Sequence, residues 1–269
     1  MNLGNVAKID ALMSTERDCA WREDGASFRY LLCSTARCGS NLISDALQQT
    51  GLAGDPMEYL NPRYMAGYIR SQNQAQTTNA DSKKIGIRRY LRALEQRRSS
   101  ANGYFGVKVH FEHLTRMYKQ LDSAKPLLQN FDRIVMLRRR DKIAQAVSLH
   151  KARVTQIWSS QDRQYLDPKD PRLTRQAEFD PVAIARALFD LVAQENGWER
   201  LLRRLELPFE TFWYEDWVAN RDAESLRLMQ ALDLADHVSE VKAPTLARQG
   251  QDNDPMVAEF RQALGLKIE

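Results

Sequence analysis

Two stretches of this chain join a short apolar run to a cluster of basic and hydroxyl residues. In the first, Phe28-Arg29-Tyr30-Leu31-Leu32-Cys33 leads into Ser34-Thr35-Ala36-Arg37-Cys38-Gly39-Ser40-Asn41. Leu42, Ile43, Ala46 and Leu47 then recur at helical spacing up to Thr50-Gly51. In the second, Phe131 to Leu137 leads into Arg138-Arg139-Arg140-Asp141-Lys142, and Ser148 follows on the next helix. The chemistry that suits both is anion binding. A helix that starts just after a strand presents unpaired N–H groups and the positive end of its dipole. Gly39 lets a phosphate come close to the backbone. Ser40 and Asn41 can cap the helix or donate to phosphate oxygens, and Arg37 adds a fixed cationic fork. An arginine at the second strand's end and a serine on the following helix can grip another phosphate together. The first loop departs from the Gly-x-x-x-x-Gly-Lys-Ser/Thr pattern, because it has no Lys and Asn41 follows Ser40. That weakens the case for Mg²⁺-dependent triphosphate chemistry.

The elements that must position these residues follow from periodicity. Tyr104–Phe111, Phe131–Leu137 and Phe209–Trp213 read as further strands. The continuous apolar run Ile134–Leu137 suits a strand covered on both faces. Helices are predicted over Ile85–Arg98, over Leu114–Leu121, and behind Asp141, with Ile143, Val147, Val154, Ile157 and Trp158 on one stripe. Asp180-Pro181 is a helix start, with Asp at the N-cap and Pro at N1, and that helix should run to about Leu205. Two more helices are predicted over Ala223–Leu232 and Met256–Leu264. Residues 52–83 read as a long connection with short helical pieces, and Ser159–Phe179 as a loop. Strands alternating with helices imply parallel βαβ units in one sheet, whose ligands bind outside the carboxyl ends of the strands. Both basic turns fall at such ends, so the ligand should carry two separate anionic groups.

Composition narrows the class. With 43% hydrophobic residues in 269, the chain can bury a sizeable core as one α/β domain. The net charge of +4 hides local basic clusters, at Arg88, Arg89, Arg92, Arg97 and Arg98 and again at Arg138 to Lys142. No apolar run reaches the roughly 18 residues of a membrane span. Met1 to Trp21 is mixed and charged, unlike a signal peptide, so a cytoplasmic location is expected. Three cysteines, Cys19, Cys33 and Cys38, form no CxxC pair, and four histidines form no HExxH pattern. Neither a disulfide framework nor a metal site is expected.

The first loop, taken with Arg139-Arg140-Asp141 through Gln145-Ala146-Val147-Ser148, resembles the bacterial carbohydrate sulfotransferases typified by trehalose 2-sulfotransferase. Gly54-Asp55-Pro56-Met57-Glu58-Tyr59, Phe105-Gly106-Val107-Lys108 and Tyr214-Glu215-Asp216 are similar to further motifs of that family. The likeness runs from about Tyr30 to Phe260. It implies a P-loop-like sulfotransferase fold: a single domain over residues 1–269, core about 27–265, with a mainly parallel central sheet flanked by helices. It also implies a donor, 3′-phosphoadenosine 5′-phosphosulfate, and a carbohydrate or glycolipid acceptor. No metal or nucleic-acid partner is implied, and a homodimer is.

Roles follow from the resemblance, position by position. Arg37, Cys38, Gly39, Ser40 and Asn41 would hold the 5′-phosphosulfate. Arg139 or Arg140, with Ser148, would hold the 3′-phosphate, Arg140 being favoured. Tyr214 would lie near the adenine, and Arg248 and Gly250 would belong to a C-terminal segment closing over the nucleotide. Glu58 would be the general base, its pKa raised by burial from about 4.3. Arg37 would act as an electrostatic clamp, since it cannot donate a proton as a Lys could. Cys38 and Asn41 stand where Ser or Thr is expected. His110 and His113 are competing bases, and Trp158, Trp213 and Trp217 either stack on a sugar or pack in the core. A nucleotide-dependent kinase and a non-catalytic polyanion-binding module are the alternatives. Mg²⁺-dependent ATP consumption would mark the first, and steeply salt-dependent polymer binding without transfer the second.

Overall fold

The apolar run Tyr30-Leu31-Leu32-Cys33 is fully buried at the centre of a parallel sheet. A computed structural model describes residues 3–75, 86–240, 245–246 and 254–266. Its strands are β1 (Phe28–Ser34), β2 (Tyr104–His110), β3 (Arg133–Arg138) and β4 (Glu210–Trp213), in the order β2-β1-β3-β4 and all parallel. The register pairs Ser34 with His110, Cys33 with Met136 and Arg138 with Trp213. All four carboxyl ends therefore line up on one edge, and the turns after them converge.

The helices are α1 (Leu3–Leu12), α2 (Ser40–Gln49), α3 (Pro62–Ala75), α4 (Ile87–Arg98), α5 (Phe111–Met117), α6 (Lys125–Leu128), α7 (Lys142–Thr155), α8 (Pro181–Arg204), α9 (Tyr214–Ala219), α10 (Arg221–Ala231) and α11 (Pro255–Ala263). Alternate strand residues feed two apolar layers, as the period of two requires. Leu31, Cys33, Val107, Ile134 and Met136 pack with Tyr59, Tyr90, Trp198 and Leu202 on one face. Tyr30, Leu32, Val135, Leu137 and Phe212 pack with Ile43, Leu47, Trp217 and Met229 on the other. A third cluster joins α7, α8 and α11 through Val147, Leu191 and Phe260. Among the described residues no helix is long and apolar enough to cross a membrane.

The predicted caps are present. Asp141 accepts from Ala144 N at 2.9 Å, Asp180 from Ala183 N at 2.9 Å, and Asp254 from Met256 N at 3.0 Å. Two expectations need correction. Residues 62–75 are one continuous helix, not short pieces: Pro62 begins it and the Asn61 side chain accepts from Arg63 N at 3.1 Å, so Asn-Pro here starts a helix instead of breaking a chain. The helix after β2 begins at Phe111, with no loop before it. The charged N-terminus holds α1, whose Ile9, Leu12 and Met13 are buried.

Candidate active site

The turn after β1 is built by two backbone conformations. Arg37 has φ +64° and Gly39 φ +87°, both left-handed. At Gly39 the conformation requires glycine, because a Cβ there would stand 2.3 Å from Cδ2 of Tyr214. The turn is braced from behind. Gln145, fully buried on α7, donates to Thr35 Oγ1 at 2.9 Å and to Ala36 O at 2.7 Å. Trp198 Nε1 donates to Ser34 O at 3.0 Å. The N-terminus of α2, with Ser40 and Asn41, opens on a cavity of about 430 Å³ that Arg37, Gly39, Glu58, Arg139, Ser148 and Tyr214 also line.

The two basic turns meet. Arg37 Nε donates to Ser148 Oγ at 2.9 Å across 111 residues of sequence, and another of its N–H groups donates to the Trp158 carbonyl. Arg139 donates to Arg37 O at 3.3 Å and stacks on the Tyr214 ring with its guanidinium 4.8 Å from the centroid. Burial pushes the Arg37 guanidinium down to about 10, and neighbouring Arg139 pushes it the same way. Arg139 Nε is buried without a hydrogen-bond partner. That Nε stands 3.9 Å from Glu215 Oε1. Two half-buried cations held together in one cleft suit an anion.

The three consecutive arginines point in three directions, and Arg140, the favoured one, does not line the cavity. Arg138 pairs with Glu195 and Glu199, each at 3.0 Å. Arg140 makes a two-pronged pair with Asp216 at 2.6 and 2.7 Å and is 48% exposed. Trp213 lies between them, 4.8 Å from Arg138 and 4.7 Å from Arg140. Only Arg139 of the three lines the cavity.

Glu58 reaches the cavity from a different direction. Met57 makes a parallel bridge to Val107, and Lys108 N donates to Met57 O at 2.9 Å. The chain before Glu58 is thus tacked to the edge of β2. The Glu58 carboxylate lies 3.4 Å from Lys108 Nζ, 3.4 Å from His110 Nε2 and 4.0 Å from His113 Nε2, and accepts from Asn61 Nδ2 at 3.0 Å. Lys108 also donates to Asn41 Oδ1, which links this cluster to the first loop. The expected upward shift of the Glu58 pKa is overturned. Burial does raise it, but His110 and Lys108 outweigh burial and hold the carboxyl well below its usual range. His113 is held neutral, its pKa lowered to about 3, chiefly by burial and against the pull of Glu58.

Other expected residues fall as follows. Cys38 is fully buried in the layer under α2, and its side chain does not line the cavity. Tyr214 packs on Gly39 and under Arg139, at the first loop. Arg248 and Gly250 lie outside the described residues. Trp213 and Trp217 do not line the cavity, whereas Trp158 does. Four contributors went unread in the sequence. Lys108 and Gln145 sit within quoted motifs without an assigned role. Asp45, on α2, accepts from Thr245 N at 2.6 Å, from Thr245 Oγ1 and from Leu246 N at 3.1 Å, fixing a C-terminal piece to the first-loop helix. Lys8 belongs to a segment that carries no motif.

Paired strand-to-helix turns on one parallel sheet edge, cationic but without a P-loop lysine, define a P-loop-like fold of the sulfotransferase kind. The chain belongs to the Stf0 sulphotransferase family, which residues 29–263 match. It is 25% identical to trehalose 2-sulfotransferase of Mycobacterium tuberculosis, over 86% of this chain and 94% of that protein. It is also 25% identical to trehalose 2-sulfotransferase of Mycolicibacterium smegmatis, over 68% of this chain and 78% of that one.

Proposed function

We propose that this enzyme transfers a sulfuryl group from 3′-phosphoadenosine 5′-phosphosulfate to a hydroxyl of a carbohydrate or glycolipid. The observation that carries the reading is the half-buried Arg37–Arg139 pair beside Ser148, both lining the cavity at the α2 N-terminus. A donor bearing two anionic groups fits it: the α2 N-terminus and Arg37 take the 5′-phosphosulfate, and Arg139 with Ser148 takes the 3′-phosphate. Arg139 replaces Arg140 in this role, since Asp216 already neutralises Arg140. Tyr214, stacked under Arg139, keeps that guanidinium in place.

In the reaction the acceptor oxygen attacks sulfur in line with the bond to the 5′-phosphate. The new S–O bond forms as the old one breaks, and adenosine 3′,5′-bisphosphate leaves. Negative charge grows on the leaving oxygen, where Arg37 and the α2 amides stabilise it. Glu58 takes the acceptor proton. In the ligand-free protein its proton affinity is low, and anions arriving at Arg37 and Asn41 raise it towards a useful value. Homodimer formation belongs to the same reading and rests on the family likeness.

The test is incubation with labelled donor and a panel of sugars, followed by mass spectrometry for the addition of one sulfuryl group. Transfer to none of them, together with Mg²⁺-dependent ATP consumption, would point instead to a kinase.

A further inference from the structure

We propose that α1 is the acceptor-specificity element of this enzyme, with Lys8 as the specificity-determining side chain and a pyranose acceptor lying against it. The inference rests on the sulfuryl-transfer reading above. The family match begins at Arg29, so α1 lies outside it. Yet Lys8, Ile9, Leu12 and Arg17 line the same cavity as Arg37 and Glu58.

The helix is built into the wall. Ile9 and Met13 are buried in the main core, and Ile9 packs so closely on Gly67 that a Cβ there would stand 2.4 Å from Ile9 Cγ2. Asp10 pairs with Arg70 of α3 at 2.7 Å, and Arg17 pairs with Asp55 at 3.0 Å. Helix α1 packs chiefly on α3 and the 3-10 turn Ser160–Tyr165. One begins four residues beyond Glu58, and the other follows Trp158, whose carbonyl holds Arg37. Helix α1 therefore closes the gap between the segment that carries the base and the segment beside the donor cation. Tyr64, Glu58 and Asp162 line the same cavity as Lys8.

Lys8 Nζ pairs with Asp162 Oδ1 at 2.5 Å, and Asp162 in turn accepts from Ser159 Oγ and Trp158 N, each at 2.6 Å. An ammonium has three donors. One is spent on Asp162, and the others suit hydroxyl oxygens of a sugar. Ile9 and Leu12 beside it offer an apolar surface for the ring's C–H face.

The test uses Lys8→Gln, which removes the charge, keeps a donor towards Asp162 and leaves the bonds from Ser159 and Trp158 to Asp162 in place. Sugar kinetics, calorimetry with adenosine 3′,5′-bisphosphate and thermal melts are compared with the wild type. We expect kcat/KM for the preferred sugar to fall roughly 10- to 150-fold through KM, the loss of one or more charge-assisted hydrogen bonds. The rank order of sugars should change, while nucleotide affinity stays within about twofold. Lys8→Arg keeps the charge, alters the donor geometry and should shift sugar preference at unchanged melting temperature. Unchanged sugar KM and ranking in both variants overturns the proposal. So does a loss of sugar and nucleotide binding in proportion to a lowered melting temperature, which would make α1 a brace. A wild-type protein that binds the nucleotide but sulfates no sugar refutes the underlying function, and this inference with it.

Discussion

Replacing Glu58 by glutamine keeps an oxygen near Lys108 and His110 and keeps the contact with Asn61, while removing the carboxylate that meets them. The donor loop is untouched, so affinity for adenosine 3′,5′-bisphosphate should hold. General-base catalysis contributes about 100- to 10,000-fold, equivalent to roughly 2.7–5.4 kcal/mol of barrier, and turnover should fall by that factor. The pH dependence separates Glu58 from its neighbour. A carboxyl held well below 4.5 stays ionised throughout the neutral range, so the acid limb of kcat/KM should lie below pH 4.5. His110 sits with Nε2 3.4 Å from Glu58 and Nδ1 2.8 Å from Ser34 Oγ, positioned to take over if Glu58 only orients it. A Glu58→Gln variant that retains activity within about threefold would refute the assignment. So would an acid limb in the neutral range that survives the substitution, which would point to a base other than Glu58.

Arg139→Ala should weaken binding of adenosine 3′,5′-bisphosphate roughly 10- to 150-fold and barely affect a nucleotide lacking the 3′-phosphate, whereas Arg140→Ala should leave both unchanged by calorimetry. Gly39→Ala forces a Cβ into a left-handed backbone and against the Tyr214 ring. It should cost about 1–2 kcal/mol, roughly 2–8 °C of melting temperature, and abolish nucleotide binding. His113 has its pKa depressed from 6.5 to about 3, so the unfolded chain binds more protons than the folded one between those values. Stability should therefore rise with pH across that window, by at most about 1.4 kcal/mol per unit from this group, and His113→Gln should flatten the slope in urea titrations.

Most of the sheet was legible in the sequence because each strand is a short apolar run closed by a turn. The parallel order followed from the alternation of strands with helices. Helix starts were readable where Asp precedes a first turn, at Asp141, Asp180 and Asp254. Asn61-Pro62 carries two opposite meanings, a break or a start, and only the packing of Tyr64 and Met65 on the core decides for a start. Helix α1 had no motif, and six of its ten residues are apolar without marking a partner. Its place is set by Gly67 and by ion pairs with Asp162, Asp55 and Arg70, partners at least 38 residues away in sequence, the nearest of which is Asp55 for Arg17.

At the site, the first loop was legible because glycine and arginine at fixed spacing after a strand have few other uses. The run Arg138-Arg139-Arg140 was not, because three identical side chains differ only in what meets them. Glu195 and Glu199 hold the first and Asp216 the third, each at 3.0 Å or less, whereas the middle one stands 3.9 Å from Glu215 and faces Arg37. In the proposed site, tight carboxylate pairs thus occupy two of the three candidates and leave Arg139 for the donor. The same logic overturned the expected pKa of Glu58. Burial alone argues for a raised value, and the sequence does show Lys108 and His110 two residues apart. What it cannot show is that a bridge between Met57 and Val107 brings both against one carboxylate. If that bridge sets the base's proton affinity, then Lys108→Met should raise the Glu58 pKa and move the acid limb of kcat/KM upward. An unmoved limb would mean that Lys108 serves Asn41 and the donor loop instead.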